Sequence, residues 1–533
     1  MSVENRVMDI ASRHPDYMEM IAYWEFYMDS YKGGQYYLNP SSALSATGNE
    51  DFRNSYLHPH DSEYKIKDKF NARHRKSFYE NWCALPVNTY SKYIFSEGVD
   101  REYEENSGYQ EYIDNIDLKG NSIDLFMRQL MVNMMVYGVG YILLDKPPLP
   151  EGITTLGQQK EIGNRAYASF ISPTNLVDWS INTTTGLYQW VLIRSQCVDD
   201  GDYSIARATV DRYYLWTPTH TFLLNKEGEL YNDTVVQHNL GVIPLIRCTY
   251  SDADVDCKPE SFLTSIAQTN REIYNIDSMY SEELYKIAFA QLLKQKSPDV
   301  LDGVDEIGKR HDTDLSTEVA IEYEAGTNAP AYLAFPVSAL VEKRARKDEL
   351  IQNIMRTANL GNQAGVQTDS FRSGLAMSFA YSDTHATAGQ LSQKMEYYEN
   401  RLWDYIKAFD QRDGLGLING DIKVTYPTKF SVQSDLEARE NFKTINDNIR
   451  QSSHLKVLNS MQEVVRVLNP EQEDRVIIEK ELIEGYSKEQ EATEMEAQLL
   501  LDEQSIQNEQ LIESQKTLES DETDNTDKSA DED

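Results

Sequence analysis

The chain has 533 residues, with 87 acidic against 51 basic side chains for a net charge of −36, and it is 40% apolar and 26% charged. That is an ordinary globular composition, long enough for about three domains. The acid excess excludes a protein that grips nucleic acid through a broadly basic surface, because such affinity comes from neutralising phosphates.

In chain order, residues 15–32 (PDYMEMIAYWEFYMDSYK) carry apolar side chains at helical intervals behind a proline suited to a first helical turn. A loop rich in Gly, Pro, Ser and Asn follows to His60. Residues 70–98 read as a helix interrupted at Pro86. Residues 122–137 read as a helix with Ser122 as its N-cap, stopped by Gly138 and Gly140, and YILLD (141–145) reads as a strand.

From about 165 to 250 short β-rich runs alternate with turn residues (AYASFI, GLYQWVLIRS, ATVDRYYLW, HTFLLN, TVVQHN and GVIPLIRCTY), predicting a β-rich lobe. Beyond Pro259, Phe262, Ile266, Ile273, Tyr280, Leu284 and Ile287 repeat near the helical period as far as Ser297. That predicts a rod of about 50 Å. Residues 298–336 read as a small α/β excursion with VAIEYEA as a strand. A second helix spans 337–359 through Leu340, Leu350, Ile354 and Met355.

The segment 361–374 (GNQAGVQTDSFRSG) holds three glycines and no periodicity. A third long helix, about 375–410, repeats Leu391, Met395, Tyr398, Leu402, Tyr405 and Phe409, and IKVTYP reads as a strand returning to the β lobe. Residues 433–515 read as helical. The last stretch holds Glu519, Asp521, Glu522, Asp524, Asp527, Asp531, Glu532 and Asp533 against Lys528, a composition that predicts disorder.

Cys83, Cys197, Cys248 and Cys257 lack CxxC or disulfide spacing, which suits a reducing compartment. MSVENRVMDI lacks a secretory layout. Leu125 to Leu144 is broken by Arg128, Gln129 and Asn133, so no stretch approaches the ~20 apolar residues that cross a bilayer. A soluble, intracellular chain without a membrane partner is expected.

The chemical motifs point away from catalysis. HPHD (His58–Asp61) lacks partners at structural-zinc spacing and reads as a solvated loop. Gly138-Val-Gly140 precedes a strand, where a dinucleotide fingerprint would open a helix. GxxxxGK[ST] and GxSxG are both absent. Carboxylate pairs such as those in EYEE arise by chance in a chain this acidic. Neither a catalytic site, a cofactor nor a metal is expected.

The order of these elements resembles the portal proteins of tailed bacteriophages, in particular a portal-like family first catalogued as a domain of unknown function. The resemblance is carried over roughly 15–450 by Trp24 with YKGGQYYL, by GVGYILLDKPP, and by GVIPLI ahead of a long helix. It continues through the segment after Leu360, SGLAMSFAYSDTHATAGQLSQKMEYYENRLWDYI, and IKVTYPTKF. It implies an α+β portal-type fold: a wing over 1–258, stem helices at 259–297 and 337–360, a small clip at 298–336, and a channel loop at 361–374. A bridging helix and return strand of the wing would occupy 375–432, a helical crown 433–490, and an acidic tail, disordered at its end, 491–533.

By the same resemblance about twelve copies close a ring at the capsid vertex of a virion, assembled in the host cytoplasm. Double-stranded DNA passes through it, and terminase, major capsid protein and head-tail adaptors are partners. Gly361, Gly365 and Gly374 permit backbone changes in the implied channel loop. Gln363, Gln367, Thr368 and Ser370 offer exchangeable hydrogen bonds to phosphate, and Arg372 offers a charge. Lys309, Arg310 and His311 are the basic cluster of the implied clip, facing DNA or an acidic adaptor. An acidic lumen would repel the duplex and keep it centred.

Overall fold

The computed structural model divides the chain into two units, Met1–Phe430 and Ser431–Asp533. In the first it describes residues 10–40, 55–61, 63, 67–96, 98–104, 107–149, 152–153, 155–199, 208–251, 258–288, 293–296, 321–324, 337–360, 374–428 and 430. In the second it describes 456–461, 464, 475, 477–488 and isolated residues from 492 to 510. The fold is α+β.

The helices begin and end where local chemistry satisfies their orphan backbone groups. α1 (Pro15–Lys32) opens with Pro15, and the His14 ring accepts the Asp16 N–H at 3.2 Å; it stops at Gly33, whose positive φ turns its N–H back to the Asp29 carbonyl at 2.8 Å. α2 (Gly34–Leu38) follows directly. α3 (Lys67–Lys76) and α4 (Ala84–Phe95) replace the single interrupted helix expected over 70–98. The break lies at 77–83, not at Pro86. Pro86 sits in the first turn of α4, where its missing N–H leaves no bond unmade, and the Asn81 side chain accepts the Ala84 N–H at 2.9 Å to start that helix.

β1 (Asp100–Glu102) and α5 (Tyr109–Asp114) lead to α6 (Ile123–Tyr137). Ser122 caps α6 by accepting the Leu125 N–H, and Gly138 ends it at φ 84°. A Cβ at Gly138 would lie 2.8 Å from the Pro259 carbonyl oxygen, so glycine permits both the left-handed turn and that close approach.

β2 (Val139–Asp145) is the strand around which the first unit divides. It lies between β3 (Tyr167–Ile171) and β9 (Leu245–Thr249) in an antiparallel sheet of order β3-β2-β9, with α7 (Leu156–Glu161) in the β2–β3 connection. Because successive side chains point to opposite faces, Ile142 and Leu144 enter a helical core with Ile246 and Cys248. Val139, Tyr141 and Leu143 enter a second core with Leu245. Both faces are covered, so VGYILLD reads as a continuous apolar run.

The second core lies under a five-stranded antiparallel meander. Its strands are β4 (Leu176–Ile181), β5 (Tyr188–Asp199), β6 (Ala208–Trp216), β7 (His220–Leu224) and β8 (Leu230–Gln237), in that order across the sheet. β4 was missing from the sequence reading. Asp178 and Ser180 break its apolar run, while Leu176, Val177 and Trp179 are buried in the core and Ile181 packs half-buried against it.

α8 (Thr264–Ala288) runs about 38 Å at 1.5 Å per residue, shorter than the rod expected to residue 296. Residues 293–296 form β10 (Leu293–Lys296), paired parallel with β11 (Ile321–Glu324). A long-range ladder, invisible to local periodicity, satisfies their backbone instead of the helix. α9 (Val337–Thr357) and the 40-residue α10 (Gly374–Asp413) follow.

β12 (Lys423–Thr425) pairs antiparallel with β1, Arg101 opposite Val424. The expected return of IKVTYP to the β lobe is therefore corrected: it joins a two-stranded ribbon against the helices, where Val424 and Tyr426 bury in the helical core. In the second unit, residues 456–461 and 477–488 are helical, and Ser460 and Tyr486 share a hydrogen bond of 2.7 Å. The predicted disorder of the final acidic stretch concerns residues outside those described.

Candidate functional site

α8 and α9 pack on one another. Their paired ends are rooted in the helical core through Ile266, Ala267, Ile273, Tyr274 and Ile276 of α8 and Leu350, Ile354 and Met355 of α9. Away from the root burial fades: Leu284 and Tyr285 on α8 and Val341 on α9 are exposed, Val341 by 61%. The two helices thus form a stalk with an apolar root and a solvated outer half.

Ion pairs set its register. Lys347 bridges Glu80 at 2.8 Å and Asp277 at 2.9 Å, and Lys343 pairs with Glu283. Burial pulls the Lys347 ammonium down, but the two carboxylates outweigh it and the net shift is upward. Burial moves Asp277 upward despite the same lysine, so this carboxylate is held at some cost.

The side of α8 facing α3 is polar and buried. Asn275 accepts the His58 N–H at 2.7 Å, and Ser278 accepts from Arg73 at 3.0 Å and from Ser77 at 2.9 Å. Arg73 forms a fork to both Glu63 oxygens, at 2.8 and 2.7 Å, and reaches the His58 carbonyl at 2.7 Å. Burial raises the Glu63 carboxyl, but the bonds from Arg73 and from the His60 N–H outweigh it and hold it low. HPHD is therefore not simply a solvated loop: its backbone is bound to Arg73 and to the root of the stalk. Among the described residues no cluster of three or more His, Cys, Asp or Glu side chains is arranged for a metal.

Of the residues expected in the channel loop, Gly361, Gln363, Gly365, Gln367, Thr368, Ser370 and Arg372 lie outside the described residues, as do Lys309, Arg310 and His311. Gly374 is the first residue of α10. What precedes and follows this segment is fixed by a clasp. Asn359, at φ 56°, reverses the chain after α9, and Leu360 is buried behind it, its N–H bonded to the Met355 carbonyl at 2.8 Å. The Asn359 carboxamide donates to Thr387 at 3.0 Å, the Thr384 hydroxyl donates to the Asn359 carbonyl, and the Tyr90 hydroxyl donates to the Ala358 carbonyl at 2.7 Å. Gly374 stands ten residues before Thr384 on the same helix, about 15 Å along its axis. The clasp is a feature the sequence reading missed. Its one local signal is an asparagine just past the helix end, where a left-handed residue is favoured.

α10 is held by a second device that sequence reasoning passed over. Glu399, fully buried, accepts from Arg101 Nε at 2.6 Å and Nη2 at 3.1 Å, from the Tyr426 hydroxyl at 2.6 Å and from Trp403 Nε1 at 3.3 Å. Arg101 also reaches Asp124 at 2.7 Å. Burial lowers the Arg101 guanidinium, and the Glu399 carboxylate more than reverses it. The cluster ties together β1, α6, α10 and the residue following β12. Its signal in the sequence is a glutamate standing four residues after Met395, on the apolar stripe.

Among the described residues no helix is long and apolar enough to cross a membrane. No family model matches the chain, and neither does any curated protein. Among solved structures it is similar to a chain of the neck of the native GTA particle computed with C12 symmetry (10% identity, TM-score 0.36). It is also similar to chains of the neck of the empty GTA particle computed with C6 symmetry (10%, 0.38) and of the virion of the native gene transfer agent (GTA) particle (11%, 0.35). Each match covers 76% of this chain and 94% of the other. A likeness this loose carries no argument about function, which rests instead on this chain's own elements.

Proposed function

We propose that this chain is a portal subunit, one of about twelve that close a ring through which double-stranded DNA enters and leaves a viral capsid. The observation that carries this is the stalk. Two antiparallel helices share a root in the core, expose apolar side chains on their outer half, and lead at their far ends into the segment read as a clip. In a single copy that outer half leaves Leu284, Tyr285 and Val341 against water, a feature that copies packed side by side would relieve.

In this reading α8 and α9 are the stem, residues 361–374 contact the duplex, and α10 bridges the channel to the wing. Terminase docks during packaging, the capsid protein surrounds the wing, and head-tail adaptors dock on the clip with Lys309, Arg310 and His311. The chain performs no catalysis, and force comes from the separate terminase. Negative-stain images of the purified full chain test the reading. Rings with a central hole are expected; a monodisperse monomer at every protein and salt concentration overturns it.

A further inference from the structure

The most basic described helix of this acidic chain stands beside the stalk. α3 has Asp68 as its acid and five Lys or Arg in ten residues. Arg73 is consumed inside by Glu63, while Arg75 and Lys76 are exposed. Lys76 lies over the ring of Tyr285 on the outer half of α8 at 4.2 Å, and Lys32 lies over Tyr36 on α2 at 4.6 Å. Phe78 is 71% exposed, Tyr36 58% and Tyr285 48%.

These residues belong to one surface because their neighbours interlock beneath them. Tyr37 stacks on Tyr79 at 3.7 Å, the His74 ring bonds the Leu38 carbonyl at 3.1 Å, and Arg73 bonds Ser278 of α8.

We propose that this cationic-aromatic surface, Lys32, Tyr36, Arg75, Lys76, Phe78 and Tyr285, docks a second copy of this chain through that copy's acidic strip. The proposal rests on the ring reading above and names the surface that closes the ring. Two observations select a protein partner of this kind. Lysines already lie over the faces of Tyr36 and Tyr285, and a bare phenylalanine beside an arginine is the composition of a protein interface centre. Copies that each carry −36 repel at long range, and a basic patch that faces an acidic one offsets that repulsion at the contact.

A ring interface is heterologous, so it needs two different patches on each chain. The second is supplied by Glu104 and by Glu111 and Asp114 of α5, all exposed, whereas Glu102 of β1 is already paired with Lys423 at 3.1 Å.

The test is oligomeric mass by mass photometry and sedimentation on the full chain, with circular-dichroism melts confirming that each variant folds. Arg75→Glu/Lys76→Glu is expected to raise the concentration for half-assembly at least tenfold, and Phe78→Ala to weaken assembly with less salt dependence. Glu104→Lys/Glu111→Lys provides an independent arm on the other patch, and mixing it with the first variant is expected to restore mixed oligomers. Wild-type rings with unchanged rings from both charge variants overturn this surface and leave the portal reading standing. Unchanged rings with lost retention of a DNA duplex assign the surface to a polyanion and overturn the proposal. A wild type that never assembles sinks both readings together.

Discussion

Replacing Arg101 with alanine leaves Glu399 fully buried with only the Tyr426 hydroxyl and the Trp403 indole as donors. Breaking a buried pair by removing one partner costs about 3–5 kcal/mol, because an uncompensated charge stays in low dielectric. Unfolding entropy of about 2.1 cal/mol/K per residue, taken over residues 1–430, is about 0.9 kcal/mol/K. The expected fall in Tm is therefore about 3–6 °C, read by scanning calorimetry or tryptophan fluorescence.

Removing the buried ion pair together with the Tyr426 hydroxyl has a different consequence. In Arg101→Leu/Glu399→Leu/Tyr426→Phe no buried charge remains, and Asp124, 49% exposed at its side chain, keeps its water. Part of the loss is then recovered, since apolar replacement of a buried pair is often neutral, while the buried Trp403 N–H left without its acceptor keeps about 1–3 kcal/mol of it. A loss below about 1 kcal/mol for the single variant, or a triple variant no better than the single, would refute the reasoning.

Four further outcomes are expected. Ile273→Ala and Ile354→Ala at the stalk root cost about 2–5 kcal/mol in denaturant unfolding, whereas Val341→Ala on the outer half leaves the melt unchanged and weakens assembly. Burial pushes Asp29 and Asp145 up to about 6. Their folded values exceed the unfolded one, so the stability they contribute is present below about pH 4 and lost as pH rises through 6. The Tm of Asp29→Asn, followed from pH 4 to 7.5, is expected to gain on wild type as pH rises; a constant difference contradicts the assignment. Cys83, fully buried and pushed up to about 12, is expected to resist thiol reagents until the protein unfolds, and mass-mapped labelling of the native chain checks this. Deleting 361–374 is expected to leave rings intact while impairing DNA packaging or retention, and rings that fail to form would make the segment structural.

Several elements were legible because their signals are local. Pro15 and Gly33 bracket α1, and Ser122 and Gly138 bracket α6. The periodic stripe through Leu391, Met395, Leu402 and Phe409 marks α10, and all four enter the helical core. The stalk was legible as two long helices, and the candidate contact residues at 309–311 and 361–374 came from the family resemblance together with composition.

Other features were hidden because they depend on which distant segments meet. IKVTYP is plainly a strand, but only the folded chain pairs it with β1. That pairing brings Arg101 to Glu399, 298 positions away in sequence. The helical period through Ile287 gave no warning of the parallel ladder that claims 293–296. The basic residues of α3 vanish within a total of −36 until folding buries Arg73 and leaves Arg75 and Lys76 outside.

By itself, then, the sequence determined where helices and strands can form, because capping, period and turn chemistry act within a few residues. Only the tertiary structure decided strand partners, buried charge pairs and the character of each surface. Those depend on desolvation, and desolvation is set by neighbours that lie hundreds of residues away along the chain.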